Sequence, residues 1–324
     1  MKRGKWSKII IGVVVLFLLI LGLVGNYLVS YAIARKDGVN MEVVPASNMS
    51  QEEQMEISSS AAKIREQKEA WLSEAEQELV EIVSDDGLNL RGDLFYGKED
   101  SHLWLLAVHG YTGKRSDMYS IASYYAERGY HILTPDMRGH GQSEGAYIGM
   151  GWPDRKDILK WIDFIIQRDA DAQIILHGIS MGGATVMMTS GEDLPPQVKG
   201  IVEDCGYTSV WDIFSDELSY LFHLPEFPVL YAADLISKVR AGYGFREASA
   251  LNQVAKSDVP ILFIHGSEDN FVHTDMVYEL YEACSSSKEL LVVEGAGHGQ
   301  SYAKDPDLYF GTVFAFIDRE CGIH

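Results

Sequence analysis

The chain has 324 residues, of which 47% are apolar and 23% charged, a composition typical of a folded protein and unlike that of a disordered one. This length allows a targeting segment and one large domain. The formal net charge of −20 argues against nucleic acid as a partner, because phosphate backbones are bound through clustered Lys and Arg side chains. Cys205, Cys284 and Cys321 lie far apart without a CxxC pair or a zinc spacing, so neither a disulfide framework nor a metal site is predicted.

The first predicted element is an uncharged N-terminal helix. Basic residues lie within the first eight positions, and an apolar run then extends from Ile9 to Val29. A run of this length can cross a hydrocarbon core of ~30 Å as a helix. Basic residues favour the cytoplasmic side of a membrane, so the rest of the chain is expected outside the cytoplasm. We therefore expect residues 1–36 to form a single-pass anchor in the cell membrane.

A cleaved secretory signal is the alternative interpretation of this segment. Ala32 and Ala34 provide an A-x-A cleavage pattern just after the apolar run. The apolar run is, however, longer than the ~7–15 residues usual in a signal peptide. An anchor is therefore favoured over secretion after cleavage near Ala34, and both interpretations place the bulk of the chain outside the cytoplasm.

Residues 37–77 are predicted to form a polar tether followed by a docking helix. This stretch is rich in Glu, Gln and Ser. A thin stripe with spacings of three or four runs through Ile57, Ala61, Ile64, Lys68 and Trp71. Such a stripe is typical of a helix that packs on its own domain, although a partner-binding helix has the same pattern.

Residues 78–324 are predicted to form one α/β domain. Two short alternating stretches around Asp86 and Gly87 indicate an antiparallel hairpin. Six apolar runs follow, most of them separated by amphipathic stretches: LWLLAVHG, YHILTPD, AQIILHG, VKGIVEDCG, PILFIHG and ELLVVEG. This alternation predicts a mostly parallel central sheet with helices on both faces.

A candidate nucleophile follows the strand AQIILHG. The chain continues as Gly178-Ile179-Ser180-Met181-Gly182, the G-x-S-x-G pattern of a nucleophile elbow. The two glycines permit a sharp strand-to-helix turn that projects the serine hydroxyl from the sheet edge. The helix that follows would offer N–H groups and a positive dipole end to a developing oxyanion.

A serine hydroxyl needs a base, and the base needs an oriented tautomer. Asp269 follows the strand PILFIHG, and His298 follows the last predicted strand. The chain order Ser180, Asp269, His298 is the order used with this elbow. Because parallel strands end at one edge of the sheet, the three side chains are expected to meet there.

Other residues are rivals for two of these roles. Glu268 and Asp204 are alternatives to Asp269 as the acid, since both follow strands that end at the same crevice. The other histidines considered as bases are His109, His140, His177, His265 and His273. His298 is favoured because it lies in a small-residue loop that leaves its ring free to swing.

Two main-chain N–H groups are expected to form an oxyanion hole. One belongs to Met181, next to the serine. The other belongs to Tyr111, in the loop HGYTG after the strand LWLLAVHG. The Tyr111 side chain is expected either to line an acyl pocket or only to pack.

The domain resembles the α/β-hydrolase superfamily over about Leu79 to Ile317. The motifs HGYTG, PDMRGHGQSEG, GISMGG, HGSEDNFV and GAGHGQS carry the resemblance and occur in the order of that family. Within the superfamily the chain is similar to membrane-anchored bacterial esterases and serine aminopeptidase-like hydrolases. The resemblance implies an α/β-hydrolase fold, no cofactor, and structural roles for Asp136 and Arg138.

The same resemblance implies the roles of the site residues. Ser180 would be the nucleophile, His298 the base and Asp269 its partner, with main-chain donors at Tyr111 and Met181. Substrate preference in this superfamily comes largely from an insertion, here about residues 207–257. That insertion holds two apolar helical stretches, which form either a small lid over the serine or a plain cover for the sheet.

We therefore expect a serine hydrolase that cleaves carboxylic esters of small molecules through an acyl-enzyme. A serine peptidase or amidase would use the same triad and remains the alternative. A non-catalytic, membrane-tethered binding protein on the same fold is the third hypothesis, which the complete set of motif residues argues against. A haloperoxidase or lyase would need substrate features that these motifs do not contain.

Overall fold

The computed structural model describes residues 3–36 and 51–323, with side chains for residues 6–36 and 59–323. The predicted tether at residues 37–50 and the side chain of Ile57 lie outside the described residues. The helices are α1 (Arg3–Ile33), α2 (Gln51–Glu74), α3 (Tyr119–Glu127), α4 (Asp154–Arg168), α5 (Met181–Ser190), α6 (Val210–Phe222), α7 (Glu226–Arg240), α8 (Ala250–Val254), α9 (Asp275–Ala283), α10 (Ser301–Lys304) and α11 (Pro306–Glu320). The strands are β1 (Gln77–Val83), β2 (Asn89–Phe95), β3 (Leu103–Val108), β4 (His131–Pro135), β5 (Gln173–Ile179), β6 (Val198–Asp204), β7 (Ile261–Gly266) and β8 (Lys288–Val293).

The strands form one sheet of eight in the order β1-β2-β4-β3-β5-β6-β7-β8. β1 and β2 pair antiparallel, as the hairpin pattern predicts, and β2 also pairs antiparallel with β4. Every other neighbouring pair is parallel. The mostly parallel sheet predicted from strand and helix alternation is confirmed.

Two apolar cores, one on each face, explain why the central strands are apolar at nearly every position. Successive side chains of a strand point to opposite faces. In β5, Ile174 and Leu176 join the core beneath α4 and α5, whereas Ile175 joins the core beneath α3 and α11. Helices cover both faces, so neither set of side chains meets water.

Helix α1 is in contact with the α/β domain at its C-terminal end. Its span from Trp6 to Ile33 is long and apolar enough to cross a membrane by length and composition. Most of the span is exposed, but Val29 and Ile33 are fully buried in the domain core. Gly25 lies against the backbone of α7, and the Ile33 carbonyl accepts a hydrogen bond from Ile148 N at 2.7 Å. The end of the predicted anchor is thus part of the folded domain.

Helix α2 packs on the opposite core. Ile64 is buried, and the Trp71 ring lies 4.8 Å from the Phe95 ring and 6.2 Å from the Tyr119 ring. Ala61, also in the predicted stripe, is exposed. The contact of α2 with the domain therefore lies mainly at its C-terminal end.

Two helices within residues 207–257 cover the site. Helix α6 begins after Ser209, whose hydroxyl accepts a hydrogen bond from Asp212 N, an N-cap of the usual kind. It ends at Phe222, and the next residue, His223, takes a left-handed conformation. Helix α7 follows and packs along α1. Residues of both helices and of the C-terminal end of α1 line the same pocket as Ser180, at the end of β5.

Candidate active site

Ser180 lies at a sharp turn between β5 and α5. Its φ of 57° and ψ of −119° are unusual for a residue with a side chain. The turn requires both flanking glycines, because a Cβ at Gly178 would collide with the Gly182 carbonyl and a Cβ at Gly182 with the Val108 carbonyl. The G-x-S-x-G segment therefore adopts the strand-turn-helix geometry that its residues predict.

The structure brings Ser180, His298 and Asp269 together from three loops. His298 Nε2 lies 2.8 Å from Ser180 Oγ, and His298 Nδ1 lies 2.7 Å from Asp269 Oδ2. With the ring proton on Nδ1, the imidazole donates to Asp269 and accepts from the serine hydroxyl. This arrangement can take the hydroxyl proton and hold the resulting imidazolium beside a carboxylate.

Asp269 has hydrogen-bond partners in addition to His298. Its Oδ1 accepts hydrogen bonds from Phe271 N and Val272 N, both at 3.0 Å. Its Oδ2 also lies 3.3 Å from His265 Nε2. Burial by itself favours the neutral acid, but the hydrogen bonds from His265 and His298 outweigh it and hold the pKa of Asp269 well below its usual range. The carboxylate therefore stays ionised across the physiological pH range.

His265, which the sequence offered only as a rival base, contacts the acid of the triad instead. In the fold its Nε2 lies 2.9 Å from the Val272 carbonyl as well as near Asp269. Burial opposes its charged form, yet the hydrogen bond and charge of Asp269 raise the pKa of His265. The sequence signal for this contact was a histidine at the end of a strand, four residues before the acid.

The proposed oxyanion donors lie beside the serine. Met181 is the first residue of α5, so its N–H belongs to the positive end of that helix. The loop before Tyr111 passes close to the nucleophile, because a Cβ at Gly110 would lie 3.3 Å from the Ser180 Cβ. Among the described residues, neither the Tyr111 N–H nor the Met181 N–H donates to a protein acceptor. Both are thus available to a substrate oxygen.

The rival acids lie elsewhere. Glu268 is exposed. Asp204 is fully buried, its Oδ1 accepts a hydrogen bond from Ser301 Oγ at 3.3 Å, and burial raises its pKa to about 6. Neither carboxylate forms a hydrogen bond with His298 among the described residues.

Three of the rival histidines are bonded to groups outside the triad. His109 and His140 bond to main-chain atoms of the loops above the sheet. His177 lies between the hydroxyls of Tyr125 and Tyr309, at 3.0 and 2.9 Å. Burial lowers the pKa of His177 to about 3, so this ring stays neutral. These contacts give the three residues structural roles.

Cys205 lies behind the triad. Its thiol and the ligand atoms of Asp269 and His298 fall within 4.8 Å of one another. Burial raises the pKa of the Cys205 thiol, and a metal would require the thiolate. The Asp269 and His298 atoms are moreover already engaged with each other at 2.7 Å. The three residues therefore fit a hydrogen-bonded triad with a buried thiol beside it better than a metal site.

An apolar pocket of about 120 Å³ opens onto Ser180. Its walls combine α6 and α7 with the C-terminal end of α1, at Leu28, Tyr31, Ala32, Leu218, Leu230 and Ala233. The Tyr111 ring also lines it, and the Tyr111 hydroxyl donates to the Ala32 carbonyl at 2.5 Å. No local pattern in the N-terminal run indicated that this helix would form a wall of the pocket.

Two ionisable groups line this apolar pocket. Burial lowers the pKa of Lys36 and raises the pKa of Glu217. The Lys36 ammonium lies 5.0 Å from the centre of the Tyr31 ring and 5.2 Å from that of Tyr111. These contacts are of the cation–π kind.

The chain is similar to several known proteins and solved structures. It is 28% identical to the uncharacterized protein YqkD of Bacillus subtilis over 243 residues, 74% of this chain and 78% of YqkD. It is 23% identical to a carboxylesterase of Bacillus subtilis over 241 residues, 66% of this chain and 92% of the esterase. The structure of the Pyrococcus furiosus esterase Pf2001 matches with a TM-score of 0.63 and 24% identity, covering 76% of this chain and 92% of the esterase. At that identity the structural match shows the fold.

These findings confirm the resemblance to the α/β-hydrolase superfamily and show a hydrolase of that type. The prolyl oligopeptidase family matches residues 116–324. The matched region contains Ser180, Asp269 and His298, all five strands from β4 to β8, and helices α6 and α7. Because this match extends over more than half of the chain, the protein belongs to the prolyl oligopeptidase family.

Proposed function

We propose that the protein is a serine hydrolase that cleaves carboxylic esters through an acyl-enzyme at Ser180. The observation that carries this proposal is the hydrogen-bond chain from Ser180 Oγ to His298 Nε2 at 2.8 Å and from His298 Nδ1 to Asp269 at 2.7 Å. A binding protein would not need these linked hydrogen bonds, nor a serine placed in a strained turn that requires two glycines.

In the proposed reaction, Ser180 Oγ attacks the ester carbonyl carbon while its proton passes to His298 Nε2. The N–H groups of Tyr111 and Met181 hold the resulting oxyanion. The tetrahedral intermediate collapses, the C–O bond to the alcohol breaks, and His298 gives the alcohol its proton. Water then attacks the acyl-enzyme with His298 as base, which releases the acid and restores Ser180.

The pocket supports an ester with an apolar acyl group. Its walls are aliphatic and aromatic, so the acyl chain of a substrate would be taken out of water there. The names of two similar proteins, the Bacillus subtilis carboxylesterase and the Pyrococcus furiosus esterase, support the same reaction class.

A serine peptidase or amidase is the second candidate. The match to the prolyl oligopeptidase family favours it, and the triad geometry serves both reactions. The two candidates differ in the leaving group, which is an alcohol for an ester and an amine for a peptide.

We further propose that α1 anchors the protein in the cell membrane with the α/β domain outside the cytoplasm. The uncharged span of α1 and the basic residues before it support this placement. The contacts of Val29 and Ile33 with the domain favour a retained helix over cleavage near Ala34, because cleavage would uncover the surfaces that these residues bury.

The test is hydrolysis of p-nitrophenyl esters of increasing acyl length and of peptide p-nitroanilides by the full chain in detergent. We expect ester hydrolysis, with Ser180→Ala reducing turnover by at least about 10³-fold. Ser73→Ala, at an exposed serine of α2, is the matched control and should be unchanged. Cleavage of anilides alone would establish the peptidase, and equal activity in Ser180→Ala would refute the proposed nucleophile.

A further inference from the structure

We propose that α7 lies in the outer leaflet of the bilayer beside α1, and that the pocket takes its substrate, an acyl ester dissolved in the membrane, from there. The proposal rests on the hydrolase function and the anchor proposed above. It follows from the length of α1, the exposed face of α7 and the position of the pocket between these two helices.

The free part of α1 is too short to cross a bilayer by itself. From Ile9 to Leu23 the helix is exposed or half-exposed, and these 15 positions extend about 22 Å at 1.5 Å per residue. A hydrocarbon core is ~30 Å thick. The remaining ~8 Å must come from the next turns of α1, which carry no charge before Arg35.

Those next turns are the ones that contact α7. A Cβ at Gly25 would lie 2.9 Å from Ile236 Cδ1 and 3.2 Å from backbone atoms of Ala232 and Ala233. Helix α7 therefore contacts the part of α1 that completes the hydrocarbon span, which lies in the outer leaflet. The Arg240 guanidinium, at the end of α7, bonds to Asn26 and Ser30 near the expected membrane surface.

Helix α7 carries an apolar face suited to lipid. Tyr231, Leu235 and Val239 recur every four residues and share one face of the helix. Leu235 is 64% exposed and Val239 is 81% exposed, and Phe227 at the start of α7 is 72% exposed. These four residues, the α7 stripe, neighbour the face that contacts α1, so lipid around α1 would also cover them.

The charges near the stripe can lie at the headgroup level. The Arg246 guanidinium stacks on the Tyr231 ring, 4.3 Å from its centre, and a long Arg side chain can keep its charged end in water. The Lys238 ammonium lies 3.5 Å from Asp234 Oδ2, and its side chain is long enough to reach the headgroup region. An interfacial helix of this kind buries its apolar face about 5–10 Å into the boundary between headgroups and acyl chains, which matches the length that α1 lacks.

The pocket lies at the same depth. Its walls include Leu28 and Tyr31 from α1 and Leu230 and Ala233 from α7, the turns adjoining the α1–α7 contact. Ser180 also lines it. An acyl ester moving within the leaflet would reach the serine between these helices without passing through water, which is the reason we assign a membrane-dissolved substrate.

The first experiment measures lipid contact without relying on catalysis. Val239→Cys in the full chain is labelled with the environment-sensitive dye NBD, reconstituted in phosphatidylcholine vesicles, and exposed to doxyl-labelled lipid. Leu308→Cys on α11, at an apolar residue with 44% exposure, is the matched control. Labelled wild type gives the background from the native cysteines. We expect quenching at position 239 and none at 308, and equal signals would overturn the proposal.

The second experiment separates loading from chemistry. The double variant Leu235→Glu with Val239→Glu should hydrolyse a monoacylglycerol in vesicles at least about tenfold more slowly than wild type. Its kcat/KM on soluble p-nitrophenyl acetate should stay within about twofold of wild type. The control with Leu79→Glu and Leu308→Glu should match wild type on both substrates.

The outcomes distinguish this inference from the proposed function. Equal loss on both substrates would show a folding defect and overturn the loading role of the stripe. Unchanged vesicle hydrolysis with active enzyme would also overturn it. If wild type cleaves neither ester, the proposed function fails, while the quenching result still decides where α7 lies. Excimer emission from pyrene at Val239→Cys would assign the stripe to a second copy of the chain instead.

Discussion

Asp204, the last residue of β6, and Asp269, in the loop after the neighbouring strand β7, have opposite environments. Asp269 receives hydrogen bonds from His298, His265 and two backbone N–H groups, which stabilise its charged form. Asp204 is buried without comparable donors, and burial raises its pKa to about 6. The pKa values of the two carboxylates therefore differ because of the number of hydrogen-bond donors around each, not because of how near each lies to the crevice.

This difference predicts the result of two matched substitutions. Asp269→Asn should reduce kcat on a soluble ester by about 10²–10⁴-fold, because the amide favours the wrong imidazole tautomer. Asp204→Asn, at a carboxylate without a bond to His298, should change kcat by less than about tenfold. The measurement is steady-state kinetics at pH 8. The reverse pattern would mean that Asp204 is the acid partner.

Glu203 predicts a pH dependence of stability. It is fully buried, and burial raises its pKa from 4.5 to about 8. Between these pH values the folded state binds more protons than the unfolded state, so the free energy of unfolding contributed by Glu203 falls as pH rises from about 4.5 to 8. Fully ionised at higher pH, the group has lost this contribution.

Glu203→Gln removes the titrating group. The free energy of unfolding of the variant minus that of wild type should increase as pH rises from 5 to 8, by an amount on the order of a few kcal/mol. Urea unfolding of the full chain in detergent at several pH values is the measurement. Glu192→Gln, at a partly exposed carboxylate whose ion pairs lower its pKa, should show no such gain. Parallel pH curves for wild type and Glu203→Gln would contradict the prediction.

At the scale of elements, the contact between α1 and α7 depends on Gly25. Its position against the α7 backbone leaves no room for a side chain, since even a Cβ would lie 2.9–3.2 Å from α7 atoms. Close approach of two helices through a small residue is typical of packing within membranes. The contact sets the position of one wall of the pocket.

Gly25→Leu should therefore separate α1 from α7. We expect the free energy of unfolding to fall by about 1–3 kcal/mol, and hydrolysis of long-chain esters to fall more than that of acetate. Gly22→Leu makes the same chemical change one turn earlier, where nothing lies within 4 Å of an added Cβ, and it should be silent. Thermal unfolding and the ratio of the two ester activities test this. Equal effects of both variants would show that the helix contact is not responsible.

At the scale of the whole molecule, the N-terminal helix and the α/β domain form one structure. Leu28, Val29 and Ile33 are buried in the same core as β5 and α5. Burying each such side chain contributes about 1.5–3 kcal/mol. That is a large share of the 5–15 kcal/mol by which proteins are typically stable, so the domain depends on the end of α1 for stability.

This dependence predicts the effect of two truncations. A chain beginning at Arg35 should unfold at a temperature lower by on the order of 10 °C than the full chain in detergent. A chain beginning at Val24 keeps the buried residues of α1 and should unfold close to the full chain. Mass spectrometry of the protein from cells should likewise show α1 retained. A mature N-terminus at Arg35 with undiminished stability would contradict this account.

Much of the fold could be predicted because its signals are local. The apolar runs that became β3 to β8 are each bounded by glycine or polar turns, and strand and helix periodicities differ. The turn at Ser180 could also be predicted from the sequence, because the turn itself requires its two glycines. Two helical stretches were expected within residues 207–257, and α6 and α7 lie there.

Ser180, Asp269 and His298 were named because they follow strands whose ends must share an edge of a parallel sheet. The sequence by itself thus determined the sheet, the turn of the nucleophile, the order of the three residues and an N-terminal helix able to cross a membrane. Each of these depends on periodicity, glycine or length within one segment.

Only the tertiary structure decided which distant segments meet. It placed His265 beside Asp269, Cys205 behind the triad and the end of α1 in the wall of the pocket. The bond from Tyr111 to Ala32 joins positions 79 residues apart, and those from Arg240 to Asn26 join positions 214 apart. No local pattern encodes such contacts, because they depend on how all the elements pack around one core.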